Sequence, residues 1–410
     1  MNDSYLLRTL TGAEEFKGVA ALLGAAFGED FPPEEAERDE LVIEPARIHV
    51  IEDAGVLVAN AGAYTRELTA PGTPVPAAHV TLVGVRPTYR RQGLLTRLMH
   101  HQLRELRDAN REPVAALWAS EGRIYQRYGY GLAAYKRTIE LDRREVRLLA
   151  PPTGAARLRD AAPGDVVAEL AQVYERVRAD RPGWSSRDSR WWQWRLADPP
   201  SRRGGCTARR ALLYESADGP AGYALWRTRM SWDHTGPRGD TLVNEIVTAT
   251  PQAYVELWRF LLSVDLTRFV RYSYAAVDEP LTYLVDEPRA LGGRVGDALW
   301  VRLVDVPSAL AARRYASPID VVVDVSDDLL PENTGRWRLV GDESGARCET
   351  TTGPADLACG VADLGAAYLG GTGLGALAAA GRVRELRRGA VAAAATAFGW
   401  HRAPSTLDTF

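Results

Sequence analysis

Lysine is almost missing from this chain. Only Lys17 and Lys136 occur, so nearly all of the 50 basic residues are arginine. An arginine is therefore no signal by itself, and its position must carry the argument. Cysteine is scarce as well. Cys206, Cys348 and Cys359 are odd in number and far apart, with no CxxC pair. This argues against a disulfide framework and against structural zinc, and no metal is expected. A basic excess is lacking too: the formal charge is −3, so no positive field calls for nucleic acid. No apolar run approaches the roughly 18 residues of a membrane span. The opening MNDSYLLRTLTG has no basic-then-apolar export segment. A reducing, cytoplasmic setting is expected, with neither nucleic acid nor membrane as partner.

The chain has 410 residues, 46% apolar and 25% charged, as is ordinary for a soluble globular protein. At roughly 100–200 residues per domain, this predicts two to three domains. Over residues 14–27 the apolar side chains Phe16, Val19, Ala20, Leu22, Leu23 and Phe27 fall at helical spacing. Strand-like runs follow in IHVIED, VLVANAGAYTREL and HVTLVGV. Leu95, Leu98, Met99, Leu103 and Leu106 then make one face of a helix, before a buried strand, VAALWAS. PPTGAA, residues 151–156, reads as a linker. A second helix–strands–helix–strand set loosely repeats the first. It holds a helix near residues 166–178 and the cluster Trp184, Trp191, Trp192 and Trp194. A third region starts near Trp300, with strands IDVVVDV, GRWRLVG and RCETTT and a small-residue helical tail. The expected domains are 1–150, 151–298 and 299–410, in a mixed α/β or α+β fold.

VGVRPTYRRQGLL, residues 83–95, joins a strand to a helix. Proline ends the ladder. Gly93 lets backbone approach a ligand closely, and the first helical turn has unpaired N–H groups at the positive end of its dipole. With Arg90 and Arg91 this makes a candidate pyrophosphate site. Neither GxxxxGK[ST] nor GxGxxG stands here. The segment resembles the acetyl-CoA loop of the Gcn5-related N-acetyltransferases (GNAT), whose pattern is [RQ]-x-x-G-x-[GA]. Leu95 departs from the small final residue. The resemblance implies that Val83, Gly84 and Val85 face the pantetheine arm, and that Arg90, Arg91, Gln92, Gly93, Leu94 and Leu95 hold the pyrophosphate.

Acetylation of an amine needs two proton transfers, and a tyrosine can protonate a departing thiolate while staying protonated near neutrality. SEGRIYQRYGYG, after the strand VAALWAS, holds Tyr125, Tyr128 and Tyr130. Its SEG-x-IY-x-R-[FY]-GYG pattern resembles the Eis family of N-acetyltransferases. That resemblance covers essentially the full length. It implies two tandem GNAT-like domains and a sterol-carrier-protein-like domain, with acetyl-CoA as cofactor and a homo-hexameric assembly. It assigns Tyr125 as general acid, places Ser120 along the cofactor, and makes the terminal carboxylate of Phe410 the base. The acidic stretch GEDFPPEEAERDE suggests an acceptor rim for a polycationic amine such as an aminoglycoside. Phe27, Asp30, Phe31 and Asp408 are the candidate acceptor-binding residues. Protein lysines or polyamines are the alternative acceptors. A lipid- or partner-binding protein with a relic acetyltransferase domain is the alternative of another class. The tryptophans read as core and subunit interface. The Ala- and Gly-rich tail argues for tight packing over a roomy lipid tunnel.

Overall fold

The computed structural model describes residues 5–151 and 157–410; residues 152–156 of the expected linker lie outside them. Two compact units result, one from Met1–Ala134, Ala298–Pro404 and Asp408–Phe410, the other from Tyr135–Asp297 and Ser405–Leu407.

The first unit opens with β1 Leu6–Thr9, α1 Phe16–Phe27, α2 Pro33–Glu40, β2 Ile48–Asp53, β3 Val56–Ala70 and β4 Thr73–Val85. It continues with α3 Leu94–Ala109, β5 Val114–Trp118, α4 Gly122–Tyr125 and β6 Gly131–Leu132. The second unit contains β7 Tyr135–Asp142, β8 Arg157–Ala161, α5 Val167–Arg178, α6 Ser189–Leu196, β9 Arg210–Ser216 and β10 Gly219–Arg229. A small hairpin, β11 Trp232–Asp233 and β12 Gly236–Pro237, precedes β13 Gly239–Thr248, α7 Pro251–Ser263, β14 Thr267–Ala275 and β15 Arg294–Asp297. The chain returns to the first unit with β16 Leu299–Leu303, α8 Val306–Ala312, β17 Ile319–Ser326, β18 Gly335–Gly341 and β19 Ala346–Thr350. β20 Leu357–Gly360, α9 Val361–Ala367, α10 Leu374–Ala379, β21 Val383–Glu385 and α11 Ala390–Phe398 complete the described elements.

The loose internal repeat of the sequence is real in the topology. One seven-stranded sheet runs β1-β2-β3-β4-β5-β16-β6 and the other β15-β7-β14-β13-β10-β9-β8. Each is antiparallel except at one pair, β4 with β5 and β13 with β14. A parallel pair needs a crossover, and α3 and α7 supply it. The boundaries differ from the expected 150 and 298. β7 belongs to the second sheet, where its Ile139 and Leu141 are buried against Val270 and Tyr272. β16 lies in the first sheet between β5 and β6. Each sheet therefore takes one strand from across the expected border. Turn-rich composition marks a break between elements, not which sheet a strand joins.

Because β16 pairs with β5, the third region shares a core with the first. One apolar cluster includes Val75, Ala77 and Ala116 of the first sheet with Val321, Leu339, Leu364 and Phe398. Arg302 of β16 is fully buried and its Nη2 donates to both Asp327 carboxylate oxygens, at 2.9 and 2.7 Å. The Asp327 carboxylate also accepts from the Leu329 and Leu330 amides and from Asn333 Nδ2. In the third region the interior is filled. Arg313, with no exposure, lies over Tyr315 and Phe398 and donates to the carbonyls of Tyr368 and Phe398. In the helical tail Leu374, Leu377, Ala390, Ala394, Ala397 and Phe398 are buried.

The tryptophan cluster is core within the second unit. Trp184 stacks on Tyr174 and Trp192 meets it edge-on. Arg187 lies 4.0 Å over Tyr174 and forms a fully buried pair with Glu245 at 2.8 Å. Trp184, Trp191 and Trp192 are buried by their own chain, so they offer no free face for the subunit interface that was expected of them.

Removing one partner of a buried ion pair costs about 3–5 kcal/mol, because the other charge is stranded. Asp327→Ala is expected to lower the urea midpoint of the first unit accordingly. Arg302→Met with Asp327→Leu should recover most of the loss; a single variant as stable as the parent contradicts the role given to the pair.

Candidate active site

The site begins where β4 leaves β5. Their parallel pairing runs from Ala77 opposite Val114 to Val80 opposite Leu117, and stops. Just beyond, β4 carries a bulge: Leu82 and Val83 together face Ala61 of β3. Leu82 has φ of 53°, and the Asn60 amide nitrogen donates to its carbonyl. A bulge bends its strand and adds twist. β4 stays paired to β3 through Val85, so its other edge stands open over residues 83–85. Backbone groups on such an edge need a partner, and an extended ligand arm supplies one.

The loop that follows is held rigidly. Arg86 Nε donates to the Leu57 carbonyl, Tyr89 Oη to Asp53, and Arg90 to the Ala26 carbonyl at 2.5 Å. Arg91 and Gly93 both have positive φ, 63° and 81°; glycine reaches that region without the Cβ penalty. α3 then starts with no side-chain cap on its first turn. Arg90, Arg91 and Arg127, with that helix end and Val83, Gly84 and Val85, line a cleft of about 740 Å³. Open strand edge, uncapped helix and three guanidiniums fit an acyl-CoA: the arm on β4, the pyrophosphate on the loop.

The corresponding helix start in the second unit is capped. Thr250 caps α7 by accepting from the Ala253 amide, and Pro251 removes a donor at the first position. No arginine–glycine loop precedes α7. Physical chemistry thus separates a competent half from its repeat.

Tyr125 ends α4 and lines the cleft beside Ser120, Glu121, Ile124 and Tyr128. It is 5% exposed, and burial chiefly, then Tyr128, pushes its hydroxyl up to about 12. The proton is therefore retained through neutral pH. Tyr128 is fixed by Thr96 at 3.1 Å, and Tyr130 has no exposed surface.

The last residues lie on the other face of the same sheet. Neighbours along a strand alternate faces. Ala78 and Val80 pack with Tyr125, whereas Ala77 belongs to the core against which Phe410 packs. The Phe410 ring rests on His79, centroids 4.6 Å apart. Arg66 pairs with Asp408 at 2.7 Å, both almost fully buried, and Trp118 Nε1 donates to the Asp408 carbonyl at 2.7 Å. His79 is buried; desolvation first, then Arg66, pushes its imidazole down to about 3, so the ring is neutral.

Of the expected cofactor residues, Val83, Gly84, Val85, Arg90, Arg91, Gly93, Leu94, Leu95 and Ser120 line the cleft, and so does Phe27. Leu95 is accommodated because it is partly buried against the core under α3. Gln92 does not line it: its side chain accepts from Tyr5 Oη at 2.6 Å. Asp30 and Phe31 do not line it either; Asp30 is exposed and Phe31 half-buried. Asp408 is buried under Arg66 rather than facing an open rim. Arg127, Thr96, His79, Arg66 and Trp118 were missed. Arg127 stands in the SEG-x-IY-x-R pattern; the other four carry no local signal.

Comparison with known proteins agrees with this geometry. Acetyltransferase (GNAT) domain models match residues 7–133 and 183–303, and a sterol carrier protein domain model matches residues 306–406. The class is therefore settled: an N-acetyltransferase that uses acetyl-CoA, with two tandem GNAT domains and a sterol-carrier-like domain. An uncharacterized N-acetyltransferase of Streptomyces coelicolor is 43% identical over 400 residues, 95% of this chain and 96% of that one. N-acetyltransferase Eis of Mycobacterium tuberculosis is 33% identical over 384 residues, 90% of this chain and 91% of its own. The crystal structure of Eis1 from Mycobacterium abscessus superposes with a TM-score of 0.83 at 33% identity, covering 99% of this chain and 100% of that one. The chain belongs to the Eis family of N-acetyltransferases.

Arg91 is exposed, so Arg91→Glu should leave the melting temperature unchanged. Loss of a charged hydrogen bond of about 1.5–3 kcal/mol predicts a KM for acetyl-CoA raised roughly ten- to hundredfold, with kcat nearly kept. An unchanged KM would remove the loop from the site.

Proposed function

We propose that this enzyme acetylates primary amines of polycationic small molecules, aminoglycosides among them, by direct transfer in a ternary complex. The carrying observation is the fastening of the chain end by His79, Arg66 and Trp118 on the sheet face opposite the one that bears Tyr125. Acetyl-CoA, when bound, supplies an acetyl group activated as a thioester. Tyr125 Oη gives its proton to the departing sulfur. The α-carboxylate of Phe410 takes, through water, the proton that the attacking ammonium must lose. Asp408 serves as a positioning residue: with Arg66 neutralising it and Trp118 holding its carbonyl, it sets where Phe410 lies. What supports a cationic acceptor is the exposed carboxylates Glu29, Asp30, Glu34, Glu37 and Glu40, which follow Phe27 at the cleft. Such a rim raises the local concentration of cations. We place the reaction in the cytoplasm, where acetyl-CoA is made and used.

The acid and the base are tested together. General acid catalysis is typically worth about 10²–10⁴-fold, so Tyr125→Phe should lower kcat by that order with acetyl-CoA affinity kept. Because the hydroxyl is raised, the parent should show no tyrosine limb in kcat below about pH 10. C-terminal amidation, which removes charge and keeps shape, should abolish transfer to amines while cofactor binding survives. Full activity in the amidated enzyme sinks the base; near-parental kcat in Tyr125→Phe sinks the acid.

We further propose a hexamer, on the strength of family membership. Light scattering should give a mass near six times 44.9 kDa; a monomer at working concentration contradicts it.

A further inference from the structure

We propose that His49, His101 and Glu105 form a zinc site on the first unit, between β2 and α3. His101 and Glu105 are four residues apart on α3 and so share a face. His49 projects from β2, which α3 overlies. The ligand atoms these three side chains offer all lie within 4.8 Å of one another. His49 Nε2 already meets a Glu105 oxygen at 2.7 Å, and the two imidazoles stand edge to face at 4.7 Å.

The donor set selects the ion. Two imidazoles and one carboxylate suit zinc and neighbouring divalent transition metals, not magnesium or calcium, which want oxygen. Three protein ligands with a fourth position open to water is a recurrent zinc arrangement. Bonds of about 2.0–2.1 Å imply ligand atoms roughly 3.4 Å apart in a tetrahedron. Reaching that needs shifts of about 1 Å, and the exposed side chains of His101 and Glu105 can make them. His49 is the fixed member, its side chain 2% exposed. On metal binding the Nε2 proton now shared with Glu105 leaves. Nδ1 then takes a proton and donates to Thr9 Oγ1, 3.4 Å away, the second-shell bond that orients a ligating histidine. Arg47, which opposes charge on His49, is engaged in two bonds by Glu112 at 2.6 and 2.7 Å. A bound ion would tie α3, whose first turn is the cofactor site, to the sheet beneath it.

The test uses the full-length protein, free of any histidine tag and stripped with chelator. Zinc chloride titrated by calorimetry should bind with one equivalent per chain. Cobalt(II) should develop the visible absorption of a tetrahedral site. Zinc should raise the melting temperature, as any ligand of the folded state does. His101→Ala and Glu105→Ala change exposed side chains and should keep the fold and the zinc-free melting temperature, yet each should weaken zinc binding at least tenfold and abolish the cobalt band. No binding by the parent, or binding retained in both variants, overturns the proposal.

Discussion

The parting of β4 from β5 is the constraint on which the active half depends. A strand in a sheet interior has every backbone group paired, and a strand at an edge is a hazard that proteins cover. Here an interior strand is released from one neighbour by a bulge at Leu82 while the other neighbour keeps hold of it. The open stretch is short and flanked by an arginine loop and an uncapped helix. The sheet has thus been given a polar slot that a cofactor arm satisfies.

Duplication followed by divergence of one copy is legible in local chemistry. Both units share the strand pattern with a single parallel pair and a crossover helix. α3 keeps its first-turn donors free, whereas α7 spends them on Thr250 and loses one to Pro251. The second unit holds a buried Arg187–Glu245 pair ringed by Tyr174, Trp192 and Tyr223. Those three rings pack around that charge.

The third region is not an appendage. β16 enters the first sheet, and Arg302, buried with Asp327, joins the sheet to the loop after β17. By this route the far end of the chain joins the first unit's core. The aromatic end residue has a seat because His79 is neutral and apolar in effect, and Arg66 and Trp118 hold the residue two positions before it.

Local sequence determined the arginine–glycine loop, the tandem arrangement and the helices α1, α3, α5 and α7. Those features are short-range: a proline that stops a strand, a glycine that permits positive φ, a period of 3.6 residues. The domain borders were not legible, since strand partnership between β16 and β5 depends on matching surfaces nearly 200 residues apart. Nor were the contacts of Arg66, His79 and Trp118, which lie in ordinary strand pattern and meet the chain end only because three neighbouring strands converge on it. Gln92 shows the reverse: its place in the motif suggested a cofactor contact, and the tertiary position of Tyr5 drew its side chain elsewhere. Periodicity and turn chemistry decide what a segment becomes; burial and long-range pairing decide which side chains meet, because those energies exist only once the chain has closed on itself.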